Sequence, residues 1–187
     1  MKHGTGFERA KRAMMRRGTT VAACVMESLR PPSPPPQPDA SAPSILFVCH
    51  GNICRSPLAE GTLQHELSRH GLDRRIAVAS AGTNAIEGTP PDVRARLVAA
   101  WHGFRIDRIR ARRFRADDLG RFDRILVFDR ATREVVLAHA RSDDHRRRVA
   151  LVASDDVEDP VCGSLRDFNR TYRVVAAACA RLVADVR

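Results

Sequence analysis

Ser44-Ile45-Leu46-Phe47-Val48-Cys49-His50-Gly51-Asn52-Ile53-Cys54-Arg55-Ser56-Pro57 runs from a wholly apolar segment into a polar turn that contains glycine. The apolar run Ile45-Leu46-Phe47-Val48 fits a strand buried on both faces. Pro57 lacks an amide hydrogen and has a fixed φ, so it suits the first turn of a helix. Behind it Ala59, Leu63 and Leu67 recur at every fourth position, a helical stripe that Gly71 ends. Strand, short loop and helix form the opening unit of a parallel α/β sheet. The loop leaves the carboxyl end of its strand, where such sheets bind ligands.

The same alternation continues downstream. Residues 76–79 read as a second strand. Pro91 opens a second helix with Val93, Leu97, Ala100 and Trp101 on one stripe and Gly103 as its stop. Residues 124–128 and 149–152 read as the third and fourth strands, with a helix over 131–140 between them. Phe168, Tyr172, Val175, Cys179, Leu182 and Val186 follow three- and four-residue steps and define a final helix. Strands separated by helices imply an α/β fold, an open four-stranded parallel sheet with helices on both faces.

Upstream, residues 31–43 form a Pro/Ser/Ala linker, because proline blocks both helix and ladder hydrogen bonding. Residues 1–43 are expected to be a disordered, basic and Pro-rich extension, and residues 44–187 the folded domain. The apolar run at 21–26 is too short for a secretory signal. All four methionines, Met1, Met14, Met15 and Met26, fall in the extension, which fits a start assigned upstream of the true one; an amphipathic organelle presequence is the weaker alternative.

The chain has 187 residues, 32 Lys+Arg and 22 Asp+Glu, a net charge of +10, and 43% hydrophobic residues, a composition that excludes disordered and fibrous classes. No apolar run nears the ~20 residues that span a bilayer. Five scattered cysteines, Cys24, Cys49, Cys54, Cys162 and Cys179, with no C-x-x-C pair, argue against a disulfide scaffold or zinc site. A reducing, cytoplasmic setting is the default expectation. The arginines at 110, 112, 113, 115 and 146–148 have the charge of a nucleic-acid patch, but no recognition motif accompanies them. A solvated face that steers anionic substrates is the reading preferred, and nucleic acid is not expected as a partner.

The loop itself carries chemistry. A helix starting at its end presents free N–H groups and a positive dipole end to an anion. Gly51 and Asn52 tolerate a left-handed backbone, which lets successive N–H groups of His50, Gly51, Asn52, Ile53 and Cys54 converge as a nest. The Gly-Lys-Ser/Thr element of a Walker loop is absent. Cys49 and Arg55 flank five residues, so a loop curled around phosphate turns both toward one tetrahedral group. Arginine holds phosphate oxygens in a planar fork. The helix end and guanidinium favour a thiolate, which Ser56 can hydrogen-bond. Such a thiolate is a nucleophile for phosphorus. An acid must protonate the leaving oxygen; Asp155, Asp156, Glu158 and Asp159, after the fourth strand, are the candidates.

Cys49 to Pro57 resembles the Cys-x5-Arg loop of the low-molecular-weight protein tyrosine phosphatases at every fixed position. The likeness extends over about residues 44–187 through Ser80-Ala81-Gly82-Thr83, Pro90-Pro91-Asp92, Ala111-Arg112, Ile125-Leu126 and Asp159-Pro160. It implies the phosphotyrosine protein phosphatase I-like fold and hydrolysis of phosphotyrosine or small aryl phosphates through phosphocysteine at Cys49. Arg55 then binds phosphate, Asp159 is the acid, and Asn52, Ser56 and Ser80 support the loop, with neither metal nor cofactor. It also implies a reversible Cys49–Cys54 disulfide. Three departures stand out. Val161 and Cys162 follow the Asp-Pro pair where the family usually has aromatics. Ile86 occupies the opposite rim, where several members carry an aromatic. Ile109 aligns with a supporting histidine. Loss of ring stacking is worth about 1 kcal/mol per contact.

Thiol-linked arsenate reduction is the competing reading on the same fold, but the relay cysteines it needs are absent between Cys54 and Cys162. Arginine-phosphate hydrolysis is a second, against which Ile53 stands where such relatives tend to have threonine. A basic nucleic-acid-binding protein is the non-enzymatic alternative. The expected partner is a phosphotyrosine-bearing protein or a small phosphomonoester, with no membrane; the sequence leaves the oligomeric state open.

Overall fold

In a computed structural model, which describes residues 42–72 and 75–185, β1 (Ser44–Cys49) is buried along its whole length. It lies at the centre of the sheet. β2 (Ala77–Gly82) and β3 (Arg124–Val127) flank it, and β4 (Val149–Leu151) joins the outer edge of β3. The order is β2-β1-β3-β4 and every pairing is parallel. The chain moves from β1 to one side, then returns past β1 to build the other. The crevice at the carboxyl end of β1 is therefore the switch point at which open α/β sheets bind ligands.

The two faces of β1 divide by alternation. Ile45 and Phe47 pack with Ala59, Leu63 and Leu67 of α1 (Arg55–Arg69) and with Val175, Cys179 and Leu182 of the closing helix. Leu46 and Val48 face Leu119, Phe122 and Val136 on the other side. Both faces are covered, which is why the strand tolerates an uninterrupted apolar run.

Three helices lie between β2 and β4 on this second side: α3 (Asp118–Arg121), α4 (Arg130–Leu137) and α5 (Asp143–Arg148). α2 (Val93–Trp101) follows β2, and α6 (Leu165–Ala184) ends the described fold after a 3-10 turn at Pro160–Cys162.

The second helix departs from its expected face and start. Pro91 lies before it, Asp92 caps it by accepting from the Arg94 amide at 2.8 Å, and the buried residues are Ala95, Val98 and Ala99. Val93, Leu97 and Trp101 are exposed, Trp101 at 79%. Small alanines allow close packing, and that contact outranks the larger side chains on the opposite stripe. The helix expected over 131–140 ends at Leu137, and Ser142 caps a separate short helix through the His145 amide, so the 146–148 arginines are helical. α3 was not anticipated; its four residues are too few for a periodic signal. The stripe of α6 is as expected from Phe168 to Leu182, while Val186 and residues 1–41, with Cys24 and nearly all of the linker, lie outside the described residues.

Many of the arginines are interleaved with acids. Arg112 pairs with Asp118 at 2.9 Å, Arg115 with Glu87 at 3.4 Å and Arg148 with Asp144 at 2.7 Å. That arrangement fits a mixed solvated surface better than a continuous phosphate-binding stripe.

Candidate active site

Cys49 is the last residue of β1, 2% exposed, and the backbone turns immediately after it. Asn52 takes the left-handed conformation, φ 54°, while Gly51 does not. The turn brings the Asn52 amide back to the sulfur, which accepts from it at 3.3 Å. Ser56, in the first turn of α1, places its Oγ 3.1 Å from the same sulfur. Gly82 closes the floor from β2. A Cβ there would stand 2.7 Å from the His50 carbonyl and 2.8 Å from the Asn52 nitrogen, so only glycine lets the loop lie against β2.

The side chain of Asn52 holds the turn. Nδ2 donates to Ser56 Oγ and to Ser80 Oγ, each at 2.8 Å, and Oδ1 accepts from the Arg112 amide at 2.9 Å. These partners leave one orientation of the amide. The expected supporting residues Asn52, Ser56 and Ser80 thus form one connected network. Ile109, at the expected histidine position, packs against an apolar cluster that includes Cys54 and Leu58.

Arg55 is 3% exposed and reaches two carboxylates. Nη1 donates to Asp129 at 2.6 Å and to the Val157 carbonyl at 2.9 Å, and Nη2 donates to Asp159 at 2.6 Å. Among the described residues its Nε is buried without a hydrogen-bond partner. An unpaired buried donor is costly, so this N–H is open to an acceptor beside the loop. Of the acids expected after the fourth strand, Asp159 meets Arg55; Asp156 instead pairs with Arg130 at 2.9 Å, and Asp155 accepts from Ser154. Asp159 also accepts from the Val161 amide at 3.2 Å, which starts the 3-10 turn.

Three residues of this region escaped the sequence reading. Asp129 lies two positions past β3, at the same end of the sheet as Cys49. It caps α4 through the Thr132 amide at 2.6 Å and anchors Arg55. Burial raises its pKa, but hydrogen bonds from Thr132 and Arg55 outweigh it and hold the carboxyl below the usual range. An aspartate just after a predicted strand and before a helix was the available signal. Arg94 donates to the carbonyls of Val161 and Gly163 at 2.9 and 2.7 Å, tying α2 to the Asp159 segment. Glu60 is buried beside Ser80; its four-residue step from Ser56 was the hint.

The residues that the sequence places at the rim are all at the surface. Ile86 is 76% and Val161 42% exposed, and Cys162 is exposed too. Ile53 is half-buried and packs with the Cys54 cluster. Burial, aided by Asp92 and Asp159, pushes the Cys54 thiol up to about 12, so it stays protonated at neutral pH. Cys49, Cys54, Cys162 and Cys179 are all free thiols. A hollow of about 660 Å3 lies behind the Asp159 segment, lined by Val157, Pro160, Thr171 and Val174, and it includes no residue of the Cys49 loop.

The chain is similar to known proteins in sequence and in fold. The profile of the low molecular weight phosphotyrosine protein phosphatases matches residues 44–187. The phosphatase of that name from Gallus gallus is 33% identical over 144 residues, 73% of this chain and 90% of its own. The low molecular weight protein-tyrosine-phosphatase of Streptomyces coelicolor is 33% identical over 153 residues, 76% of this chain and 93% of its own. The crystal structure of the protein tyrosine phosphatase from Entamoeba histolytica superposes with a TM-score of 0.71 at 27% identity, covering 76% of this chain and 96% of the other. With its parallel sheet in the order 2-1-3-4 and its Cys-x5-Arg loop at the switch point, the chain belongs to the low molecular weight phosphotyrosine protein phosphatase family.

Proposed function

We propose that this chain hydrolyses phosphotyrosine and small aryl phosphates, with Cys49 as nucleophile, Arg55 as phosphate ligand and Asp159 as general acid and base. The observation that carries this reading is the convergence on Cys49 Sγ of the Asn52 amide and Ser56 Oγ, beside an Arg55 whose buried Nε has no hydrogen-bond partner among the described residues. Thiolate sulfur attacks phosphorus and the P–O bond to the phenol breaks; Asp159 supplies the proton to the departing oxygen. Water then attacks the phosphocysteine, Asp159 takes its proton, and phosphate leaves with the thiolate restored. Arg55 and the loop amides of His50, Gly51, Asn52, Ile53 and Cys54 balance the charge on the equatorial oxygens. Arg55 exchanges part of its contact with Asp159 for the phosphate, which frees that carboxyl for proton transfer.

The aliphatic rim of Ile86 and Val161 gives contact without ring stacking, so selectivity for an aromatic leaving group is modest. A protein bearing phosphotyrosine or a small phosphomonoester is the partner this site suits. Among the described residues no helix is long and apolar enough to cross a membrane. A working thiolate fits a reducing, cytoplasmic setting.

Turnover of p-nitrophenyl phosphate by the wild type, Cys49→Ser and Asp159→Ala tests the reading. The first variant loses activity by at least about 10^4-fold, and the second loses about 10^2-fold or more in kcat. Orthovanadate inhibits and chelators do not. Unchanged turnover in Cys49→Ser overturns the assignment, and faster cleavage of a phosphoarginine peptide than of a phosphotyrosine peptide redirects it to arginine phosphate.

A further inference from the structure

Glu60 takes no part in the chemistry above, yet it terminates the network that starts at the nucleophile. From Cys49 Sγ the contacts run to Ser56 Oγ at 3.1 Å, to Asn52 Nδ2 at 2.8 Å, to Ser80 Oγ at 2.8 Å and to Glu60 Oε2 at 2.6 Å. From Asn52 to Glu60 each direction is set by the chemistry of the groups; between Cys49 and Ser56 either atom can donate, and the Ser56 hydroxyl also reaches the Ala81 carbonyl at 3.2 Å. Asn52 Nδ2 only donates, so Ser80 Oγ accepts from it and spends its single hydrogen on Glu60. A carboxylate at that end accepts this hydrogen strongly and keeps the lone pairs of Ser80 turned toward Asn52. A protonated carboxyl accepts weakly and competes as a donor for the same oxygen.

Glu60 is 7% exposed. Of the groups that face it, β2 offers Ser80, and α1 itself offers Gln64, whose Nε2 lies 3.4 Å from Oε1. The cation that acts on it is Arg112, from the segment after α2, and that guanidinium is committed to Asp118 at 2.9 Å. Among the described residues no cationic side chain comes within ion-pair distance of Glu60. A buried carboxyl in that position sits between its two protonation states rather than locked in one.

We propose that Glu60 is a positioning residue whose ionisation, passed through Ser80 to Asn52, orders the Cys49 loop and makes its competence depend on pH. Burial pushes the Glu60 carboxyl up to about 7, with the hydrogen bond from Ser80 and the charge of Arg112 opposing. The sign follows: below that pH the folded protein keeps the proton and Ser80 is weakly held; above it the carboxylate forms and Asn52 is fixed. Folding pays the opposite way, since the unfolded chain releases the proton near the ordinary carboxylate range and the buried charge weakens the fold as pH rises between the two values.

The proposal rests on the Cys49 loop being the phosphate site, and its test has an arm free of turnover. In Cys49→Ser, which removes the thiol from the network, side-chain amide resonances of Asn52 and the carboxyl carbon of Glu60 are followed by NMR from about pH 5 to about pH 9. Both are expected to shift with a common midpoint near 7. Adding Glu60→Gln removes the Asn52 response, and adding Ser80→Ala uncouples Asn52 while Glu60 still titrates. A response that does not originate at Glu60 survives both changes and is separated by them. In the active protein, the ratio of wild-type to Glu60→Gln kcat/KM rises from about one at about pH 5.5 to about tenfold at about pH 8, the size of one charge-assisted hydrogen bond.

Asn52 resonances that stay flat, or that titrate equally in Glu60→Gln, overturn the proposal, as does a kcat/KM ratio that does not change with pH. If Glu60→Gln does not fold, the Ser80→Ala comparison decides. An inactive wild type with the NMR coupling intact refutes the phosphatase reading and leaves the coupling standing.

Discussion

Asp129 has two distinct roles, and one substitution separates them. Its Oδ1 caps α4 through Thr132, and its Oδ2 holds Arg55 at 2.6 Å. Asparagine is as good an N-cap as aspartate, so Asp129→Asn keeps the helix start and removes only the charge facing Arg55. The expected result is a rise of about tenfold in Ki for inorganic phosphate with a small change in Tm, because a buried guanidinium loses its charged anchor. Phosphate inhibition and thermal melting measure the two effects side by side. The residues proposed as nucleophile, phosphate ligand and acid stood out in sequence because each sits in a fixed local pattern: Cys49 and Arg55 in one loop, Asp159 before Pro160. Asp129 and Glu60 were not, because each meets the site through a partner far along the chain, Arg55 at a separation of 74 residues and Ser80 at 20.

At the scale of elements, the loop is shaped by the strand beside it. Gly82 ends β2 opposite Cys49 in the parallel register, and its missing side chain makes room for the backbone of residues 50–52. Gly82→Ala introduces a methyl 2.7 Å from the His50 carbonyl and 2.9 Å from the Gly51 carbonyl carbon, and these backbone atoms must move. A displacement of about 1 Å in a positioned site costs about 10^2-fold in rate. The prediction is a loss of that order in kcat, with a stability cost of about 1–3 kcal/mol from overpacking, read from p-nitrophenyl phosphate turnover and urea unfolding. The elements themselves were legible where one periodicity dominates: the apolar run of β1 and the stripe of α6. The helix after β2 misled because its contact face is built from Ala95, Val98 and Ala99, and the bulky Leu97 and Trp101 point to solvent. Helices as short as α3 and α5 give too few turns for a period to show, and capping by Ser142 was the signal left for α5.

At the scale of the whole molecule, three strands of one sheet deliver the site. β1 ends at Cys49, β3 leads into Asp129, and the segment after β4 carries Asp159, so Arg55 on α1 joins carboxylates that are remote in sequence. Parallel pairing in the order 2-1-3-4 puts all three strand ends on one edge, which the alternation of apolar runs already implied. The net charge of +10 gave no comparable guide, because many of its arginines meet acids on the folded surface. The central claim is that a covalent bond forms between Cys49 sulfur and phosphorus during turnover. Acid-quenched Asp159→Ala, mixed with an aryl phosphate whose activated phenol leaves without protonation, is analysed by peptide mass spectrometry and 31P NMR. The account predicts a phosphoryl group on the peptide holding Cys49, with a thiophosphate-type P–S resonance, and none in the Cys49→Ser, Asp159→Ala double variant. Phosphate on another residue, or steady turnover with the Cys49 peptide never modified, contradicts it.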